Sequence, residues 1–195
     1  MSILEGADGQ PLAAGLWALS STERPGHTSA MNKTDSEPAN EPANEPEIVT
    51  LPATIVAVVH DVVPMSEITD FFGRAFQTVT DTLAKQGIAM TGPPIGVYFG
   101  MPADTVEVAA GFPTAKAVTA EDEVVAETLP AGRAAQVMHV GSYDSLQQTY
   151  GRLMTWLESQ KLRGGTVMWE SYLTEPTPGQ SQDTMMTRIS WPLAE

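Results

Sequence analysis

Two apolar rhythms alternate along the chain from Ile48 onward. The segment 53-ATIVAVVH-60 is apolar and β-branched, which predicts a strand. Ile68, Phe72, Ala75, Phe76, Val79 and Leu83 then recur at helical spacing. That stripe predicts a helix capped by Ser66 and stopped by Gly87. After the turn 91-TGPP-94 come two short strands, 95-IGVYFG-100 and 105-TVEVAAGF-112, the second with Val106 and Val108 alternating against Glu107. The order is β-α-β-β.

The second half of the chain has the same order. A strand is predicted at 133-RAAQVMHV-140, a turn and helix cap at 141-GSYDS-145, and a helix with the stripe Leu146, Tyr150, Leu153 and Leu157. Strands follow at 166-TVMWESYL-173 and 184-TMMTRISWPL-193. Landmarks repeat at one offset, 78: Leu-Pro-Ala at 51–53 and 129–131, Gly73-Arg74 and Gly151-Arg152, Ile68 and Leu146, Val79 and Leu157. Tyr98 falls against Tyr172 at a slightly shorter offset. These coincidences predict an internal duplication, with pseudo-repeats at about 49–115 and 127–195. One such unit buries little core by itself. Two joined together predict an α+β domain whose duplicated β-α-β-β units form one antiparallel sheet. Both helices would lie on one face, and a ligand cleft between the halves would open on the other, concave face. The acidic segment 121-EDEVVAETLP-130 connects the units, partly as strand at Val124-Val125.

Residues 1–48 carry no such rhythm. The stretch 35-DSEPANEPANEPE-47 repeats Glu-Pro-Ala-Asn, so prolines remove backbone donors while glutamates repel one another. A disordered acidic tail is expected there, ahead of a domain spanning 49–195, with Met31 as an alternative start to Met1.

Composition narrows the function. No window approaches the run of about 18 apolar residues that a transmembrane helix needs. Glu5 and Asp8 precede the short N-terminal apolar piece and no Lys or Arg does, the wrong charge order for a signal peptide; a cytoplasmic protein is expected. The absence of cysteine excludes disulfides, thiolate metal sites and cysteine nucleophiles. His27, His60 and His139 have no chelating spacing, so neither a metal nor a cofactor is expected. A net charge of −14 argues against nucleic acid and anionic membranes, and is compatible with a cationic small molecule.

The candidate chemistry lies in 167-VMWESYLTEP-176. Period-two alternation sends Met168, Glu170 and Tyr172 one way, and Val167, Trp169, Ser171 and Leu173 the other. A glutamate with apolar neighbours on both faces is either a surface residue paired with Arg188 or a buried carboxylate. A buried carboxylate without a partner has a raised pKa, and a ligand cation would supply the missing charge. Tyr172 and Tyr98 share a face with Glu170 and Gly96 respectively, which suits the walls of a cleft. Tyr143 matches Met65 in the first half and would close one end. Met168 suits a pocket that accepts varied shapes. Trp169 has the opposite parity, which makes it core beneath a helix before it is a ligand contact. His60 and His139, at matching strand ends, are structural histidines on this view.

The stretches H-V-G-S-Y-D-S-L (139–146), W-E-S-Y-L-T-E-P (169–176) and G-P-P-I-G-V-Y-F (92–99) resemble the GyrI-like effector-binding domain. That domain is the ligand module of Rob- and BmrR-type multidrug-responsive regulators, and the similarity spans about 49–195. It implies a cavity between two β-α-β-β halves. An acidic residue on a central strand of the second half would face amphipathic, often cationic, aromatic ligands. Glu170 stands at that place, and its first-half counterpart Gly96 would leave room opposite. Regulator members carry a helix-turn-helix before the domain, whereas an acidic tail stands there here. The resemblance therefore implies a stand-alone small-molecule-binding protein that does not contact nucleic acid directly; a monomer is expected, with a protein partner left open. Two alternatives stand beside it. One is a hydrolase of small electrophiles using Glu170 with Tyr172 or Tyr143. The other is a topoisomerase-interacting protein whose acidic surface mimics nucleic acid.

Overall fold

The computed structural model describes residues 45–100, 104–174 and 182–194. The tail expected over 1–48 therefore lies outside the described residues up to 44, as do Glu175 and Pro176 of the second quoted stretch. The elements are β1 (Glu47–Leu51), β2 (Thr54–Pro64), α1 (Ile68–Gln86), β3 (Ile95–Phe99), β4 (Thr105–Pro113) and β5 (Val124–Leu129). They continue with β6 (Gly132–Val140), α2 (Leu146–Ser159), β7 (Val167–Tyr172) and β8 (Met186–Pro192).

The helix stripes are buried as the spacing predicts: Ile68, Phe72, Ala75, Phe76, Val79 and Leu83 in α1, and Leu146, Tyr150, Leu153 and Leu157 in α2. Gly87 stops α1 in the left-handed region at φ 60°, where a glycine meets no Cβ penalty. The helix starts differ from expectation. Ser145 stands at the N-cap position of α2 but makes no side-chain cap bond, and Ser66 lies one residue before the N-cap Glu67 of α1; each helix is preceded by a single 3₁₀ turn, Met65–Glu67 and Tyr143–Ser145. The Ser145 hydroxyl instead donates backward to the Ser142 carbonyl at 2.8 Å.

All eight strands form one sheet in the order β1-β6-β8-β7-β3-β4-β2-β5. Every adjacent pair is antiparallel. The two halves meet at β3 and β7, and from that seam the succession β3-β4-β2 runs one way and β7-β8-β6 the other. The edges are exchanged between halves: β1 leads into β2 but pairs with β6, and β5 leads into β6 but pairs with β2. Two sequence boundaries change as a result. Glu47 and Ile48, assigned to the tail, belong to an edge strand, and the connection 121–130 holds a full strand rather than a fragment.

The sheet separates two apolar clusters. On the helix face, the stripes of α1 and α2 pack on Ala57, Val59, Tyr98, Val108, Val137, Met168, Tyr172 and Ile189. On the other face, Val56, Val58, Ile95, Val97, Ala109, Leu129 and Trp169 form a second cluster. Leu51 from edge strand β1 packs on this cluster, and Leu129 within it comes from the opposite edge strand β5. The sheet thus curls over its helix-free face and buries it without a third layer.

Candidate functional site: a carboxylate held by three tyrosines

Alternation along β7 places Met168, Glu170 and Tyr172 on the helix face and Trp169 on the other. Glu170 lies directly across from Gly96 of β3 and Ile189 of β8. Arg188, the surface partner considered above, stands across from Ser171 instead. Glu170 is 0 % exposed. Among the described residues, no Lys, Arg or His forms an ion pair with it.

Its partners are hydroxyls. Tyr150 of α2 donates to Oε1 at 2.6 Å, Tyr172 donates to Oε2 at 2.8 Å, and Tyr98 reaches Oε2 at 3.4 Å. Burial disfavours the charge and pushes the carboxyl up to about 7, while the three donated hydrogen bonds pull the other way. The same burial, with the Glu170 charge next in size, holds the hydroxyls of Tyr98, Tyr150 and Tyr172 well above the ordinary phenol range. They therefore remain protonated donors. The expected unpartnered carboxylate is in fact a hydrogen-bonded one that, among the described residues, lacks a counter-cation.

Aromatic rings close the surroundings. Phe72 of α1 meets Tyr172 edge-on at 6.2 Å and 87° and lies 6.4 Å from Tyr98. Phe76 meets Tyr172 at 6.4 Å, and half-buried Tyr143 meets it at 6.2 Å and 79°. Burial first, and the Glu170 charge second, also raise the Tyr143 hydroxyl. Tyr143 opens the 3₁₀ turn before α2, as Met65 does before α1. That turn is tied to β6 by His139, whose Nδ1 faces Thr149 Oγ1 at 2.9 Å and whose Nε2 faces the Ser142 carbonyl at 3.0 Å. Burial lowers the His139 pKa, so the ring is a neutral tie whose Nε2–H donates to that carbonyl. His60 lies elsewhere, stacked on Phe99 at 4.5 Å between Glu107 and Glu127.

Of the seven candidate ligand contacts, Glu170, Tyr172, Tyr98, Tyr143 and Met168 share the helix face, and Gly96 lies directly across from Glu170. Three expectations need correction. The carboxylate faces the helices, not the opposite face, and Trp169 packs in the helix-free cluster. Gly96 leaves no room: a Cβ there would lie 2.8 Å from the Phe72 rim and 2.8 Å from the Tyr172 hydroxyl. The main omissions are Tyr150 and Phe72, which the sequence pattern assigned only to helix stripes. A signal existed. The offset of 78 sets Phe72 against Tyr150, and a tyrosine in a buried stripe needs a partner for its hydroxyl.

The family model of the GyrI-like small molecule binding domain matches residues 44–194. Among solved structures, the EcmrR C-terminal domain is similar with a TM-score of 0.68 and 22% identity, over 78% of this chain and 98% of that one. A hydrolase from Listeria innocua is similar with a TM-score of 0.55 and 17% identity, over 80% of this chain and 94% of that one. A protein solved bound to tetraphenylphosphonium gives 0.56 and 12%, over 77% and 94%. At these identities the likeness is one of fold. No curated protein matches the chain.

Proposed function

The chain belongs to the GyrI-like small-molecule-binding domain family, and from that premise we propose that it binds amphipathic aromatic cations with Glu170 as their counter-charge. One observation carries this reading: a fully buried carboxylate has three hydroxyl donors and, among the described residues, no cation. Hydroxyls stabilise a buried charge without neutralising it, so a ligand cation gains what the described residues do not supply. The surrounding rings of Tyr98, Tyr172, Tyr143 and Phe72 add apolar contact and ring-face attraction for that cation. Among the described residues no helix is long and apolar enough to cross a membrane.

Calorimetric titration of tetraphenylphosphonium, the cation one structural neighbour holds, tests the reading. Glu170→Gln should weaken phosphonium binding by about 2–3 kcal/mol, the Coulomb energy of two unit charges about 6 Å apart at an effective dielectric constant of about 20, and should affect neutral triphenylphosphine oxide much less. Equal phosphonium affinity in both proteins would overturn it.

A second reading, hydrolysis of small electrophiles, is favoured by the carboxyl held at about 7, close to working pH for a general acid or base. Tyr172 or Tyr143 would then supply the hydrogen bond to the reacting oxygen. Product formation detected by mass spectrometry, and abolished by Glu170→Gln, would move the assignment there.

A further inference from the structure

The Glu170 site is closed. The carboxylate, Tyr98, Tyr150 and Phe72 are each at most 1% exposed. A ligand ring can reach the acid only if a buried neighbour moves aside. Tyr98, Tyr150 and Tyr172 each donate to Glu170, so displacing any of them strips a donor from a buried acid. Phe72 has no polar atom and is held by packing. Its rim occupies the place where a Gly96 side chain would begin, and Gly96 is the cross-strand partner of Glu170. Phe72 also sits in the second turn of α1; the start of that helix is tied by the Met65 N–H donated to the Asp104 carbonyl at 3.1 Å and by Arg74 facing Asp61 at 3.6 Å, so packing alone holds the ring but not the helix.

We propose that Phe72 is an internal plug: its ring fills the volume that a ligand's ring takes, and it is displaced when an aromatic cation docks against Glu170. Gly96 provides the seat for that ring. Phe72 thereby sets the size preference of the site, which accepts a phenyl-sized ring beside a cationic centre. The inference rests on the cation-binding reading given above.

The test uses the full chain with Phe72→Leu and Phe72→Ala, titrated with benzyltrimethylammonium and tetraphenylphosphonium. Both variants should bind benzyltrimethylammonium at least about tenfold more tightly than wild type, since an emptied apolar site accepts a ring of matching size. Adding Glu170→Gln to either variant should remove the gain. Phe76→Ala, which deletes a ring that also touches Tyr172 but does not fill the Gly96 seat, should show no gain. If Phe72→Ala does not fold, Phe72→Leu decides. Affinity equal to or weaker than wild type in the folded Phe72 variants makes Phe72 a wall and overturns the plug. If that happens while wild type binds the phosphonium through Glu170, the cation-binding reading survives alone. If wild type and the folded Phe72 variants all ignore both cations, the cation-binding reading fails and the plug, which rests on it, fails with it.

Discussion

At matching places on their helices the first half of the molecule carries Phe72 and the second Tyr150, and across the central strand pair Gly96 faces Glu170. In the second half a helix hydroxyl donates to a strand carboxylate. In the first, a helix ring edge fills the place of a missing side chain. The difference teaches why the acid is single. Directly opposed cross-strand positions have Cβ atoms only about 4.5–5.5 Å apart, so two buried carboxylates there could not both ionise. One half therefore supplies the charge and the other supplies apolar fill. All three tyrosine donors converge on one side chain.

The largest expected effect tests which half titrates. Glu170 is held at about 7 against an ordinary value of 4.5. A carboxyl raised in the folded state contributes stability that is complete below the ordinary value and is lost as pH rises through the folded one. At about 1.4 kcal/mol per unit, wild type should lose about 3 kcal/mol relative to Glu170→Gln between about pH 4 and about pH 8 in urea denaturation. His139, whose lowered pKa acts in the opposite direction, is common to both proteins and cancels in the difference. A pH-independent difference would show that Glu170 is not the raised group.

Next comes Tyr150→Phe, which gives the second helix the residue type of the first. It removes the 2.6 Å donor from Oε1 and should cost about 1–3 kcal/mol in thermal denaturation at about pH 8. The cost should shrink at about pH 5, where the carboxyl is protonated. An equal cost at both pH values would mean that the ring matters and the hydroxyl does not.

The smallest effect concerns the other face. Trp169→Phe should leave phosphonium affinity within about 0.5 kcal/mol, because Trp169 packs in the helix-free cluster, away from Glu170. A larger loss, read by the same calorimetry, would mean that the two faces of β7 act together.

Spacing made much of this legible. The stripes of both helices and the shared face of Met168, Glu170 and Tyr172 follow from periods of 3.6 and 2, which are set by near neighbours in the chain, and the Gly87 stop follows from glycine's access to the left-handed region. The cap bonds at the helix starts are not legible in the sequence because serine suits several local bonds, and Ser145 turns back to Ser142. Strand β1 is not legible in the sequence because an edge strand is half exposed and leaves only weak alternation at 47–51.

What the sequence by itself determined was relative: Glu170 and Trp169 face opposite ways, and a tyrosine lies two residues from the acid. Which face the helices cover was decided by the tertiary structure, since alternation carries no absolute direction. The same holds for the register that sets Gly96 against Glu170, the exchange of edge strands between halves, and the descent of Tyr150 and Phe72 onto the seam. Each joins residues far apart in the chain. Whether the carboxylate meets water, a cation or three hydroxyls depends on which element packs over β7, and no local pattern holds that information.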